Sequence, residues 1–459
     1  MEKLINVAYL VASVLFILGI KQLGSPRTAR NGNFLSSLGM LIAILVTLFD
    51  KHVLSFQWIL VGMLVGGAIG AVMALKVEMT AMPQMVGLLN GFGGGASALV
   101  ALSEYYRSGF NTQLETIISI MLSLIIGSVT FSGSLIAFGK LQGLVTGNSV
   151  QYPGQHVINL LLILLTVTLS LLVVLQQSLQ WAVITVVGLG LLLGVLLVIP
   201  IGGADMPVVI SLLNSYSGVA AATTGFVLRN PMLIITGALV GASGVILTNI
   251  MCRGMNRSLM NVLLGGWATA AQLEAARGKK EIVIKSVDAE EAAMLFESAR
   301  SVIIVPGYGM AVAQAQHAVR DLKNVLEQKG IDVKFAIHPV AGRMPGHMNI
   351  LLAESQIEYE KMYALEDIND AFHQTDIAFV VGANDVVNPA ARNNPSSPIY
   401  GMPILNVDYA KTVIINKRSM AAGYAGIDNE LFGYPNALMY FGDAREAITR
   451  LVNELKNHS

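Results

Sequence analysis

Cysteine is nearly missing: Cys252 stands alone among 459 residues, so no disulfide closes within the chain and no cysteine-rich metal site can be built from it. Cys252 itself reads as a packing residue. Charge is scarce too. Asp, Glu, Lys and Arg make up 13% of the residues against 54% hydrophobic ones, and the 29 basic and 29 acidic side chains cancel. A chain without net charge offers no field to gather a polyanion, so nothing here supports nucleic-acid binding. The scarcity is uneven: residues 1–252 hold 15 of the 58 charged side chains, and the rest of the chain holds 43. A mean hydropathy of +0.62 therefore averages a membrane half and a soluble half.

What is abundant is long apolar sequence. Runs of about 17 to 25 residues suit helices that cross a hydrocarbon core, and nine lie near 4–22, 34–50, 54–75, 84–105, 115–139, 156–175, 180–200, 206–228 and 232–252. The first is read as a span because no small-residue cleavage motif follows residues 4–20. Lys21, Arg27, Arg30, Lys76, Lys140, Arg253 and Arg257 fall on one side of this arrangement, and Lys3, Lys51, Arg107 and Arg229 on the other. That bias places the C-terminal half in the cytoplasm. Glycines recur every fourth residue at Gly62, Gly66 and Gly70, at Gly87, Gly91 and Gly95, and at Gly237 and Gly241, a spacing that lets helix backbones touch. Residues 253–284 read as a linker whose polar end is Arg277-Gly-Lys-Lys280.

From 285 onward the pattern changes. Strand-like runs at 301–306, 333–338, 376–382, 403–407, 412–416 and 437–441 alternate with helical patterns at 288–299, 310–329, 366–373 and 443–456. Such alternation predicts a soluble Rossmann-like α/β domain with a mostly parallel sheet, over residues 285–459. Gly307, Tyr308, Gly309, Met310, Ala311 and Val312 follow the first strand and open a helix. Glycines at this spacing let backbone approach a pyrophosphate, and a helix N-terminus favours its charge.

A site for NAD would carry an acidic residue at the end of the second strand to hold the ribose 2′-hydroxyl. Ile337-His338-Pro339 stands there instead, and Lys417-Arg418-Ser419 later in the chain offers charge-assisted bonds to a 2′-phosphate. NADP(H) is therefore the expected cofactor. Two further loops, Ala341-Gly-Arg343-Met-Pro-Gly-His347 and Gly382-Ala-Asn-Asp385-Val-Val-Asn388-Pro389, follow strands and carry polar groups fit for cofactor contacts. His338 and His347 need no catalytic role, since hydride transfer between nicotinamides uses no general base.

Within the apolar half, ionisable residues are costly and mark function or internal contacts. No histidine lies in the middle of a span; His52 and His156 sit near ends. Asp205 opens the eighth span, and Ser211, Asn214 and Ser217 follow on one helical face. That stripe suits either a proton path or polar contacts between helices. Asn90 and Ser134 leave the same two readings open, and Glu115 is placed at the outer mouth.

Several segments together resemble the beta subunit of proton-translocating NAD(P) transhydrogenase over nearly the whole chain: Val129-Thr-Phe-Ser-Gly-Ser134, Gly202-Gly-Ala-Asp-Met-Pro207, Asn214-Ser-Tyr-Ser-Gly218, Pro306-Gly-Tyr-Gly-Met-Ala-Val312, Gly382-Ala-Asn-Asp385 and Lys417-Arg-Ser-Met-Ala-Ala-Gly-Tyr-Ala-Gly426. The resemblance implies an NADP(H) domain with the nucleotide reversed relative to ordinary dehydrogenases. It further implies that Lys417 and Arg418 contact the 2′-phosphate, that Tyr424 belongs to a loop closing over the cofactor, that Asp385 lies near the nicotinamide, and that Asp205 and Asn214 serve coupling. Some members carry a membrane histidine where this chain has Asn90, and a small membrane subunit then supplies one from a partner helix.

One nucleotide motif cannot hold two nicotinamides. The expected assembly therefore pairs this chain with an NAD(H)-binding alpha subunit, as a dimer of the assembled unit in the inner membrane, and moves protons as hydride passes. The rival expectation is a transporter or channel gated by a nucleotide-binding regulatory domain.

Overall fold

A computed structural model describes residues 2–24, 26–48, 56–78, 81–109, 112–147, 149–256, 258–263, 283–344, 346–397, 399–421, 423, 425 and 427–457. His52, Arg257, Tyr424 and residues 264–282 of the expected linker lie outside them. The chain divides into two compact units, Met1–Ile201 with Val209–Leu247, and Gly202–Val208 with Thr248–Ser459.

Among the described residues, nine helices are long and apolar enough to cross a membrane. They are α1 Glu2–Leu23, α2 Pro26–Leu48, α3 Phe56–Lys76, α4 Met82–Arg107, α5 Leu114–Gln142, α6 Gln155–Leu175, α7 Gln180–Val198, α8 Met206–Val227 and α9 Pro231–Gly254. Each lies within a few residues of its expected span, except that α2 begins earlier. Two of the three glycine stripes bring backbones together. A Cβ on Gly237 would lie 2.4 Å from Ala222 N, and one on Gly218 2.5 Å from Gly241 N, so glycine lets the backbones of α8 and α9 touch. On α4, a Cβ on Gly91 would lie 3.1 Å from Ser134 Cβ and one on Gly95 2.9 Å from the Phe131 ring. The stripe on α3 has no such use here: Gly62, Gly66 and Gly70 have nothing within 4 Å of a Cβ, and no α3 residue is buried.

Polar side chains tie the ends of the bundle. At one end Tyr105 donates to Gln177 O at 2.5 Å, Gln177 donates to Thr112 O at 2.9 Å, and Arg229 donates to Gln113 Oε1 at 3.0 Å. At the other, the buried Lys140 ammonium donates to Ile199 O at 2.6 Å and Ile201 O at 2.8 Å. Those carbonyls lie at and just beyond the end of α7, where the helix's own amides no longer reach.

In the second unit, α10 Leu259–Leu263 precedes an α/β domain. Six parallel strands, β1 Ser301–Pro306, β2 Asp332–Ile337, β3 Met362–Ala364, β4 Ile377–Val381, β5 Thr412–Lys417 and β6 Ala437–Phe441, lie in the order β3-β2-β1-β4-β5-β6. Side chains alternate between faces. Val302 and Ile304 join one core with Phe296, Leu322 and Leu451, while Ile303 and Val305 join another with Phe372, Leu405 and Leu431. Burial on both faces is why these strands read as continuous apolar runs. Wholly buried Phe296, Phe335 and Phe379 each contribute about 1.5–3 kcal/mol by leaving water.

The helices are α11 Ala289–Ser298, α12 Tyr308–Val312, α13 Gln316–Gln328, α14 His347–Glu354, α15 Leu365–Ile368, α16 Ala390–Asn393 and α17 Ala444–Asn457. Asp288 and Glu291 form a reciprocal capping box that starts α11.

Three expectations are corrected. Residues 403–407 form no strand: Pro403 lacks an N–H, and Leu405 N–H donates to Val386 O at 2.9 Å, in a connection that buries Ile404, Leu405 and Val407. The sixth strand is the three-residue β3, which pairs with β2 through Phe335 and Met362 and is too short to show alternation. The single helix expected over 310–329 breaks after α12, where Gln314 takes a φ of 49°.

Candidate functional site

In this strand order the chain leaves β1 and β4 in opposite directions, which opens a crevice beyond their carboxyl ends. The glycine turn after β1 meets the loop after β4 there. Gly307 N–H donates to Val381 O and Gly309 N–H to Gly382 O, both at 2.9 Å, and Met310 N–H donates to Gly307 O at 3.1 Å. A Cβ on Gly307 would lie 2.4 Å from Ala383 Cα and Gly382 O, and one on Gly309 2.7 Å from Gly382 Cα. Gly382 holds a φ of +66°, and its own Cβ would lie 2.5 Å from Gly309 Cα.

These glycines are thus required by one another before any ligand is considered. Three amides of the turn are bonded within the protein, and α12 has only 5 residues, so the helix-terminus argument for a pyrophosphate is weak at this turn. Met310 and Ala311 are core residues at 0% and 1% exposure, whereas Val312 is exposed. Tyr308 is half-buried, with the Arg343 guanidinium 4.4 Å from its ring centroid.

Arg343 belongs to the loop after β2, which two histidines shape. His338 Nδ1 accepts from Val340 N–H at 3.2 Å, so its proton sits on Nε2, which donates to Pro403 O at 2.7 Å. Burial pushes its pKa down to about 4. His347 Nδ1 accepts from Arg343 N–H at 3.0 Å, leaving the proton on an Nε2 that is buried and has no hydrogen-bond partner among the described residues. Burial first, and then the Arg343 charge, push this pKa to about 4 as well. Both rings are neutral and orient the loop. Gly342, at a φ of +107°, makes room for the His347 ring, 2.6 Å from where its Cβ would stand.

The loops after β4 and β5 clasp each other. Asp385 Oδ2 accepts from Ala425 N–H at 3.0 Å, and a Cβ on Gly423 would lie 2.4 Å from Asp385 Oδ1. Buried Asn429 donates to Asn384 O at 3.1 Å. Lys417 Nζ donates to Ala421 O at 2.9 Å and lies 4.8 Å from the Phe432 ring centroid. Burial lowers its pKa, and the Asp385 charge opposes that shift. Arg418 is exposed, and Ser419 Oγ accepts weakly from Ala421 N–H at 3.4 Å.

The residues fit a phosphorylated dinucleotide. Arg343 follows β2, Lys417 and Arg418 end β5, and the residues closing β2, Ile337, His338 and Pro339, include no carboxylate. The sequence reading named the segments that hold Asn384, Asp385 and Gly423 but neither Asn429 nor the clasp between them, because the partners are remote in the chain and partly backbone.

In the membrane unit Ser134 on α5 packs against Gly91 of α4, the residue after Asn90. Asn90 donates to Ile210 O at 3.3 Å, and the wholly buried Ser134 Oγ has no hydrogen-bond partner among the described residues. Asn214 is half-buried on α8, with Ser211 donating to Gly244 O at 3.3 Å. Asp205 is 6% exposed in the turn before α8. Glu115 is exposed at the first turn of α5. Sequence reading passed over Ser97, Ser123 and Thr224, which lie singly on apolar helices and meet only in the bundle.

Comparison with known proteins gives one answer. The family model "NAD(P) transhydrogenase beta subunit" matches residues 5–454. The NAD(P) transhydrogenase subunit beta of Rhodospirillum rubrum, described for the species and for one of its strains, is 52% identical over 456 residues, covering 98% of either chain.

Proposed function

The chain belongs to the NAD(P) transhydrogenase beta subunit family, and from that premise we propose how its parts divide the work. It is a membrane-bound oxidoreductase subunit, and the gated-transporter alternative has nothing in its favour. The family uses NADP(H) and NAD(H), and a beta subunit implies an alpha partner. On our reading NADP(H) binds to residues 285–459, NAD(H) binds to the alpha partner, and residues 253–284 link the nucleotide domain to a membrane domain of residues 1–252.

Arg343, Lys417 and Arg418 hold the phosphates, Tyr308 and the backbone of the turn from Gly307 to Val312 line the crevice while Met310 and Ala311 seat that turn in the core, and Asp385 with Ser419 and Tyr424 orders the closing loop. When bound, the nicotinamides supply the chemistry: a hydride leaves NADH and reduces NADP+. Protons pass inward along Glu115, Ser134, Asn90, Asn214 and Asp205, and their binding biases how the nucleotide domain is held. Asn90 needs a histidine from a small separate membrane subunit, within a dimer of the assembled unit. The C-terminal domain faces the cytoplasm from the inner membrane, in keeping with the excess of Lys and Arg on one side.

The observation that carries the NADP(H) assignment is the Lys417-Arg418 pair at the end of β5, together with a β2 end that bears no carboxylate. Titration of the purified chain with NADPH and NADH tests it. NADPH should bind at least about a hundredfold more tightly, the worth of two charge-assisted phosphate bonds. Equal affinities overturn the assignment.

A further inference from the structure

The seam between α4, α5 and α8 carries a polar strip of which Asn90 is only the start. Asn90 and Ser97 on α4 are seven residues apart, as are Ser217 and Thr224 on α8, so each pair shares a helix face about 10 Å apart along the axis. Ser217 Oγ lies 2.7 Å from where a Cβ on Gly93 would stand, and Ser97 Oγ donates to Gly93 O at 3.0 Å. The Ser97 carbonyl in turn faces Ser123 Oγ at 3.3 Å and Thr224 Oγ1 at 3.4 Å. These two hydroxyls are buried, 2.6 Å apart, and reach Ala220 O at 3.4 and 2.9 Å respectively. Beyond them the seam is apolar: Ala98, Ala101, Ile120, Leu124 and Val227 are all buried in one cluster.

A hydroxyl has one proton and two lone pairs, so the pair can be satisfied in two ways. Ser123 donates to Thr224 while Thr224 donates to Ala220 O, or Thr224 donates to Ser123 while Ser123 donates to Ser97 O. Helix–helix adhesion needs only one of these patterns. A relay needs both.

We propose that Ser123 and Thr224 form the outermost hydroxyl station of the proton path, the first that an inward-moving proton meets, at the edge of the apolar closure. The inference rests on the proton-coupled reading above. A hydrated proton delivers H+ to a lone pair of one hydroxyl, that hydroxyl's own proton passes to the second, and the second releases its proton to a water on the far side. Rotation of both hydroxyls restores the starting pattern, with no net change in the protein. The apolar cluster next to the pair stops free water from bypassing it, and water must enter there for a proton to arrive.

The test uses the complete enzyme, this chain with its alpha partner, in sealed vesicles, reading hydride transfer and internal pH together. Thr224→Val keeps the side-chain shape but removes the proton, and Ser123→Ala removes the other hydroxyl. Each should slow coupled turnover about tenfold or more, with NADPH affinity unchanged and a larger solvent deuterium isotope effect. Thr224→Ser should restore turnover to within about twofold of the parent, because relay needs the hydroxyl and not the methyl group. If Thr224→Val keeps the parent rate and isotope effect, or if Thr224→Ser is as slow as Thr224→Val, the relay is wrong. Parent vesicles that transfer hydride with no pH change would instead overturn proton coupling itself, and the relay with it.

Discussion

Replacing Gly307 with alanine tests the claim that the glycine turn is dictated by the neighbouring loop. The new Cβ would stand 2.4 Å from Ala383 Cα and 2.4 Å from Gly382 O. Carbon atoms settle at about 3.5–4.0 Å, so the loop after β4 must retreat by about 1 Å. That movement strains the bonds from Gly307 to Val381 and from Gly309 to Gly382, both 2.9 Å long, each worth about 1 kcal/mol. Overpacking itself adds about 1–3 kcal/mol, which brings the cost to about 3–5 kcal/mol. Gly330→Ala is the control: its φ is +81° but nothing lies within 4 Å of its Cβ, so only the left-handed backbone is penalised, by about 1–2 kcal/mol. Limited proteolysis of the purified full chain across a urea series, following cleavage of the C-terminal domain, ranks the two variants. Should Gly307→Ala prove no more sensitive than Gly330→Ala, loop-on-loop contact is not what requires the glycine.

Acid should weaken the nucleotide domain in two stages. His338 and His347 are neutral in the fold, with pKa values near 4 against 6.5 when free. The unfolded chain therefore takes up the protons, and stability present above pH 6.5 is lost as pH falls towards 4, by up to about 3 kcal/mol for His338. Asp376, held at about 2 chiefly by Lys411 and backbone N–H groups, contributes stability that is present above its free value of 3.8 and is lost as pH falls towards 2. His338→Gln should flatten the first stage in the same proteolysis assay; an unchanged slope refutes the assignment. Arg418→Ala should weaken NADPH binding by about ten- to a hundredfold and leave NADH binding unaltered, a contrast that equilibrium titration resolves. Gly237→Leu, whose Cβ would stand 2.4 Å from Ala222 N between the two backbones, should abolish recovery of folded protein from detergent, whereas Gly66→Leu on α3 should be tolerated by the isolated chain.

Span positions, the parallel sheet and most strand limits were legible in the sequence because they depend on local apolar runs and their periods. The stretch 403–407 misled because a buried coil and a buried strand share the same composition, and only pairing tells them apart. β3 was invisible for the opposite reason, being recruited to the sheet edge by β2 despite having 3 residues. Gln314 could not announce the break between α12 and α13, since positive φ there follows from how Ala315 seats in the core beside Met310.

By itself the sequence determined the two-part organisation, the membrane character and the family, because those follow from composition, run length and motifs carried along the chain. It also determined which chemical groups were available for phosphate. Tertiary structure alone decided what those groups do to one another. Gly307 and Gly309 turned out to answer Gly382, His338 and His347 were held neutral by burial, and Ser123 met Thr224 across 101 residues of chain. Each of these depends on distances between segments remote in sequence, and no local propensity records them.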